Sequence, residues 1–150
     1  MAEATKVRRA GSPEEAAYLD LLRTADVLTR GAFGVLKAED LSLNQYNVLR
    51  ILRGAPEGLP CGEIASRMIT RDPDVTRLLD RMERRGLIAR ARESRDRRIV
   101  VARLTPEGRK LVDRLDEPVR KIHRKQLGHL GRERLAALGE LLAAARTAAE

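Results

Sequence analysis

Large aromatic rings are nearly absent from these 150 residues, which contain no Trp, two Tyr and one Phe. A core must therefore be built from Leu, Ile, Val, Ala and Met, and recognition of single-stranded nucleic acid by stacking bases on aromatic platforms is disfavoured. Cys61 is the lone cysteine, so no internal disulfide can form. No apolar run is long enough for a signal peptide or a membrane span, which predicts a cytoplasmic protein with no membrane association. Signatures of catalysis are missing as well: there is no Gly-rich phosphate loop, no His-Glu-x-x-His, no Gly-x-Ser-x-Gly and no convincing grouping of Ser, His and acid. An enzyme is not expected, nor is a cofactor. His123 and His129 stand six apart, out of phase for a helical i, i+4 pair and without Cys or clustered carboxylates at ligand spacing, so no metal is expected. No repeat of about 20–50 residues marks a solenoid.

What the chain does have is apolar content sufficient for a core, 43%, and a formal net charge of +8. The charge is unevenly spread. Between Arg71 and Lys110 there are thirteen basic and seven acidic residues, an excess of six in forty positions, and arginine dominates it. The planar guanidinium suits bidentate contact with phosphate or guanine, so the segment points to a polyanionic partner. A merely solvated basic face is the alternative.

Residues 1–11 lack periodicity and carry Lys6, Arg8 and Arg9, and read as a flexible basic arm. Ser12 as cap, Pro13 at the first helical position and Glu14 and Glu15 in the first turn then open a helix expected to reach about Lys37. Its stripe is Leu19, Leu22, Leu28 and Val35. Ser42 with Gln45 three residues on forms a capping box, preceded by Leu41 as a hydrophobic staple. Leu43, Tyr46, Leu49, Ile51 and Leu52 are expected to bury one side of this second helix, which Gly54 ends. Pro56, Gly58 and Pro60 read as a turn, and a short third helix as covering roughly 62–68. Asp72 as cap and Pro73 at the first position introduce a fourth helix, in which Val75, Leu78, Leu79 and Met82 fall at i, i+3, i+4 and i+7. At 100° per residue, Thr76, Arg77, Asp80, Arg81 and Arg84 point away from that stripe, and Gly86 closes the helix.

The period then changes to that of two strands, 87–92 and 99–104, bracketing a basic tip of Glu93, Ser94, Arg95, Asp96, Arg97 and Arg98. Thr105, Pro106 and Glu107 start a long helix with Leu111, Leu115, Val119 and Ile122 on its apolar side and a kink expected at Pro118, near Asp116. A last helix after Gly128 and Gly131 carries Leu135, Leu138, Leu141, Leu142 and Ala145.

Two short helices around a sharp break, followed by a hairpin with a basic tip, is the order of a winged helix-turn-helix. A helix about 10–12 Å across fills the major groove of B-DNA, and a slender arginine on the neighbouring hairpin can enter the electronegative minor groove. Within Leu43–Leu111, the runs GEIASRM, DVTRLLDRMERRGLIAR, DRR and LTPEGRKL resemble the MarR family of bacterial transcriptional regulators. The fold class that follows is mainly α with a small β-hairpin wing: an N-terminal dimerisation helix at 12–40, a winged helix-turn-helix at 41–104 and C-terminal dimerisation helices at 105–150. The resemblance implies a homodimer with interleaved terminal helices, on double-stranded DNA with a pseudo-palindromic site. It also implies a repressor released by a small aromatic or lipophilic effector held between the dimer helices and the DNA-binding module.

Carried over residue by residue, the resemblance assigns 71–84 to the recognition helix and the turn leading into it, and Thr76 and Arg77 to its VTR signature. Asp96 and Arg98 match the wing's acidic-x-Arg signature, flanked by Arg95 and Arg97. The DNA-binding candidates are thus Arg71, Asp74, Thr76, Arg77, Arg81, Arg84, Arg95, Asp96, Arg97 and Arg98. The dimerisation candidates are Leu19, Leu22, Leu28, Leu135, Leu138, Leu141 and Leu142. Plainer readings stand beside these: Arg77 and Arg81 as surface partners of Asp74, Asp80 or Glu83, and Asp96 with Arg98 as a hairpin-stabilising pair. Asp72 and Asp74 either cap the helix or read cytosine N4, and must in any case be kept from the phosphates. Cys61 reads as a small buried apolar residue rather than a redox sensor, since the sensing cysteine of some relatives lies in the first helix. A module for protein contacts is the rival function.

Overall fold

A computed structural model describes residues 11–150 of the protein. The basic arm expected over 1–11 lies, apart from Gly11, outside the described residues.

Helix α1 spans Pro13–Ala38, with the Ser12 hydroxyl accepting the Glu15 N–H at 3.1 Å. Asp40, at φ +54°, turns the chain into α2, Leu43–Arg53. The capping box forms in full: Ser42 Oγ accepts from Gln45 N and Gln45 Oε1 accepts from Ser42 N, with Leu41 buried beneath. Helix α2 buries Tyr46, Val48, Leu49 and Leu52, while Leu43 is exposed and Ile51 only partly covered. Leu43 therefore does not join the core as expected, and Val48 takes a buried place that the i, i+3, i+6 stripe had missed.

The stretch read as a turn contains a two-residue strand, β1 at Leu59–Pro60, and the third helix starts one residue early, α3 at Cys61–Arg67. Helix α4 spans Val75–Arg84, and its N-cap is Asp74, whose Oδ1 accepts from Arg77 N at 3.0 Å. Asp72 does not cap it. Its carboxylate accepts instead from Asp74 N at 2.8 Å and from Asn44 Nδ2 at 2.9 Å, so Pro73 belongs to the turn before the helix. At the other end Gly86, at φ +73°, supplies the left-handed step that L side chains rarely adopt. Gly86 N donates to Glu83 O and Leu87 N to Met82 O, a Schellman closure that turns buried Leu87 back under the helix.

Strands β2, Ile88–Arg92, and β3, Val100–Leu104, pair antiparallel from Ile88 with Leu104 to Arg92 with Val100, and β1 lies on the far edge of β3. The sheet order is β1-β3-β2. Helix α5, Pro106–Leu127, is anchored where the wing begins: Thr105 N donates to Leu87 O, and Thr105 Oγ1 donates to Gly86 O while accepting from Gly108 N. Pro118 lies inside it and the helix continues through, with no break near Asp116. A 3-10 turn, Gly128–Leu130, leads to α6, Gly131–Ala149.

One apolar core joins α1, α2, α3, α4, the sheet and the first half of α5, centred on Leu36, Leu49, Leu52, Ile64, Leu79, Met82, Ile88 and Val112. Helix α6 stays outside it and packs mainly on the 3-10 turn that precedes it.

Candidate nucleic-acid interface

Burial of Leu78, Leu79 and Met82 against the core decides which side of α4 faces outward. Thr76, Arg77, Arg81 and Arg84 are exposed and, with Asp74 and Asp80, line a shallow concavity along the helix. Arg77 Nε lies 3.7 Å from Asp74 Oδ2, a loose exposed pair. Arg71, Arg81 and Arg84 are exposed and make no salt bridge among the described residues.

Asp80 points away from the apolar stripe as helical phase predicts and shares that concavity, but its carboxylate is not free. It is half-buried and ion-paired with Arg90, a residue of β2, which also binds Glu83 at 3.1 Å. Glu83 accepts the Arg90 backbone N–H as well, at 2.8 Å. Together the Arg90 side chain and backbone N–H hold the Glu83 carboxyl below its ordinary range. Sequence reasoning passed over Arg90, although a signal was present. It follows Ile88 by two in a strand, so it shares the inward face, and an inward arginine requires carboxylate partners.

Asp72 and Asp74 are restrained as well. Asn44 and the turn amides occupy the first, and the helix cap and Arg77 occupy the second. Asn47 Oδ1 accepts from Ile69 N at 2.8 Å, so α2 fixes the turn before α4 at two points, neither of which the sequence singled out.

The tip of the wing projects from β2 and β3. Asp96 Oδ1 accepts from Arg98 N and from Arg98 Nε, both at 3.1 Å, and Asp96 Oδ2 lies 3.2 Å from Arg98 Nη2. These bonds lower the Asp96 pKa, the guanidinium contributing most. Arg98 is nevertheless 91% exposed along its side chain. The carboxylate aims the guanidinium without covering it. Arg92 donates to Arg97 O at 2.7 Å, bracing the loop from below, and Arg95 and Arg97 are exposed beside it.

Beside α4, a cleft of about 1190 Å³ lies between it, α1 and the start of α2, and shares Asp74, Arg77, Arg81 and Arg84 with the outward concavity. Phe33, Leu41, Leu43 and Leu78 line its apolar part, and its charged rim mixes Lys37 and four arginines with Asp40, Asp72 and Asp74. Arg85 is committed: it donates to Asp40 O at 2.6 Å and to Glu39 O at 3.0 Å. Cys61 is half-buried and burial raises its thiol pKa, which disfavours the reactive thiolate.

The model of the MarR family matches residues 41–100. Over 126 residues the chain is 30% identical to the HTH-type transcriptional regulator FarR of Neisseria gonorrhoeae, covering 83% of this chain and 85% of FarR. The chain belongs to the MarR family. Two solved MarR-type structures cover nearly all of it. The transcriptional repressor CouR bound to a 23-mer DNA duplex is 29% identical with a TM-score of 0.75, over 97% of this chain and 99% of CouR. The PcaV transcriptional regulator from Streptomyces coelicolor, in complex with its natural ligand, is 27% identical with a TM-score of 0.76, over the whole of both chains. This MarR-family protein is thus a winged helix-turn-helix transcriptional regulator, a class of DNA-binding proteins rather than of enzymes. Among its described residues, no helix is long and apolar enough to cross a membrane.

Proposed function

We propose that two copies of this chain bind a pseudo-palindromic site in double-stranded DNA as a repressor, each laying α4 in the major groove and Arg98 in the adjacent minor groove. The observation that carries this reading is the pairing of two arginine-bearing surfaces: the exposed face of α4 with Arg77, Arg81 and Arg84, and a wing tip on which Asp96 presents Arg98. Thr76, Arg95 and Arg97 are exposed beside these, where phosphate contacts would fix the register. Arg71 stands at the turn before the helix. Asp74 serves as the cap, so its carboxylate is engaged by the Arg77 N–H rather than free to face the DNA backbone.

A second copy supplies what α6 lacks. Leu138 and Leu141 are exposed in the single chain, as is Leu22 on α1, while Leu19, Leu28, Leu135 and Leu142 are half-covered. Covering that surface with the partner's terminal helices would set the distance between the two α4 helices, which must be about 34–36 Å to span one turn of DNA. The cleft beside α4 offers an apolar floor and a rim on which basic residues outnumber the three aspartates, which suits a small aromatic or lipophilic anion. CouR on DNA and PcaV with its ligand are the relatives in which each half of this behaviour is on record. An effector that prefers another spacing by ~1–3 kcal/mol would shift occupancy several-fold or more.

Selecting fragments from genomic DNA with purified protein tests the reading. A recovered inverted repeat, bound with affinity that falls steeply with salt while still exceeding that for scrambled DNA, is the expected result. Weak binding of equal strength to every fragment would point instead to a protein-contact module.

A further inference from the structure

Among the described residues, Arg90 is the one strand arginine whose guanidinium bonds to α4. Its guanidinium bonds both Asp80 and Glu83, its backbone N–H gives Glu83 a second bond, and its side chain is only 20% exposed. Arg77 and Arg98, by contrast, are 71% and 91% exposed along their side chains. Asp80 belongs to the concavity that Arg77, Arg81 and Arg84 also line. A carboxylate there has two ways to oppose DNA. It stands at i−4 from Arg84 and i+3 from Arg77, both positions from which it would capture a guanidinium, and it repels phosphate directly. Arg90 opposes both by engaging Asp80 and Glu83 in ion pairs from the sheet side, which neutralises a carboxylate that would otherwise be open to α4's arginines.

We infer that Arg90 is a specificity-determining positioning residue: without touching the duplex, it holds Asp80 and Glu83 in ion pairs at the margin of the DNA-facing surface of α4, so that neither carboxylate captures that surface's arginines. The inference rests on the DNA-binding reading above. It also assigns the two carboxylates a role. While paired, they cancel Arg90, so that no surplus cation at the root of the wing adds sequence-blind attraction to phosphate.

The test uses the full chain and two duplexes of equal length, one carrying the selected site and one with its sequence scrambled, with affinities read by anisotropy at several salt concentrations and folding checked by thermal melting. Arg90→Gln should weaken binding to the selected site by about tenfold or more, and adding Asp80→Asn and Glu83→Gln to the same chain should restore it to within about threefold. A purely mechanical role for Arg90 predicts no such rescue, because the triple variant removes still more of the charged bonding. Asp80→Asn with Glu83→Gln, Arg90 retained, should raise affinity for the scrambled duplex about threefold or more and steepen its salt dependence. This double variant keeps the idea exposed to refutation even if Arg90→Gln fails to fold. Parent-like binding by Arg90→Gln, a triple variant as weak as the single, or a double variant with unchanged scrambled-duplex affinity each overturns the inference. A parent that discriminates between neither duplex overturns the DNA-binding reading first, and is recognised before any variant is measured.

Discussion

Arg98→Ala separates reading of the groove from maintenance of the fold. The Arg98 side chain is 91% exposed, and its bonds run to Asp96 two residues away. Its loss should therefore leave stability within about 0.5 kcal/mol of the parent and leave self-association unchanged. On DNA the expectation is different. A minor-groove arginine contributes roughly 1–3 kcal/mol, and a site engaged by two wings loses about twice that, a fall of some 30-fold or more. The loss is bounded by the gap of about 4–10 kcal/mol between specific and non-specific binding. Arg98→Lys should recover little of the operator affinity, because an ammonium keeps the charge but neither the planar fork that Asp96 aligns nor the weaker hydration that favours entry into a narrow groove.

Anisotropy titrations of labelled operator and scrambled duplexes at matched salt, alongside thermal melts and size-exclusion chromatography, measure all of these together. Operator affinity equal to the parent's would remove Arg98 from the interface. A loss of the same factor on both duplexes would make it an ordinary phosphate contact and refute the minor-groove assignment. Asp96→Asn is the companion variant. It leaves Arg98 in place but weakens the bonds that aim it, so it should reduce operator affinity less than Arg98→Ala does, and by loss of orientation alone.

Three further expectations follow from packing and charge. Gly108→Ala should destabilise the fold by roughly 1–3 kcal/mol in denaturant melts even though alanine favours helix, because its Cβ would lie 2.1 Å from Leu87 O and 2.8 Å from Leu104 Cδ1; a more stable variant would show that α5 does not sit this close to the start of β2. Arg53→Gln should cost about 1–3 kcal/mol at neutral pH, since Arg53 bonds Asp116 at 2.7 and 2.8 Å and Asp113 at 2.8 Å. Arg53 also lowers the Asp116 pKa in the fold, so this contribution is complete above the unfolded carboxylate's value of about 3.9 and disappears as pH falls through the lower folded value; parent and variant stabilities should converge in acid, and a constant difference would exclude the linkage. Leu138→Asp places a charge on the exposed apolar side of α6 and should yield monomers or unfolded chain by sedimentation, whereas a soluble dimer would show that the partner does not cover this face.

The parts of the fold that were legible from sequence are those whose cause is local. Ser12 with Pro13, the Ser42–Gln45 box, Gly86 and Thr105 with Pro106 each act within four residues of themselves, and each helix boundary they announce is found there. The start of α4 was misplaced because Arg71-Asp72-Pro73-Asp74 offers two competent caps two residues apart. The choice is made by Asn44, 28 residues upstream, whose side chain holds Asp72 in the turn. Strand β1 escaped notice for a similar reason: two residues, one of them Pro, carry no period, and only the edge of β3 makes them a strand. The outward arginines of α4 and the Asp96–Arg98 pair were readable from helical phase and hairpin spacing. The partner of Asp80 was not, because it comes from a different element.

The same non-local bonds describe how the reader is joined to the rest of the molecule. Glu39 and Asp40 form the turn between α1 and α2, and Asp40 holds a left-handed φ of +54° that an aspartate tolerates better than most side chains. Both carbonyls of that turn accept from Arg85 at the end of α4, and the Glu39 carboxylate pairs with Arg114 of α5 at 3.3 Å. Arg53 ties the end of α2 to α5 as well. Two elements, α4 through Arg85 and α5 through Arg114, thus converge on one short turn, and the cleft opens directly beside it, lined by Asp40, Lys37 and Arg85. If α1 and α5 are the helices a partner copy grips, a change in their relation must either carry α4 with it or break the Arg85 bonds. An effector of the proposed kind, seated between Phe33 of α1 and Leu78 of α4, would bear on both choices at once. Coupling of this kind would make the spacing of two recognition helices in the proposed dimer a property of the whole assembly rather than of its loops, as the proposed release of DNA by a small bound molecule requires.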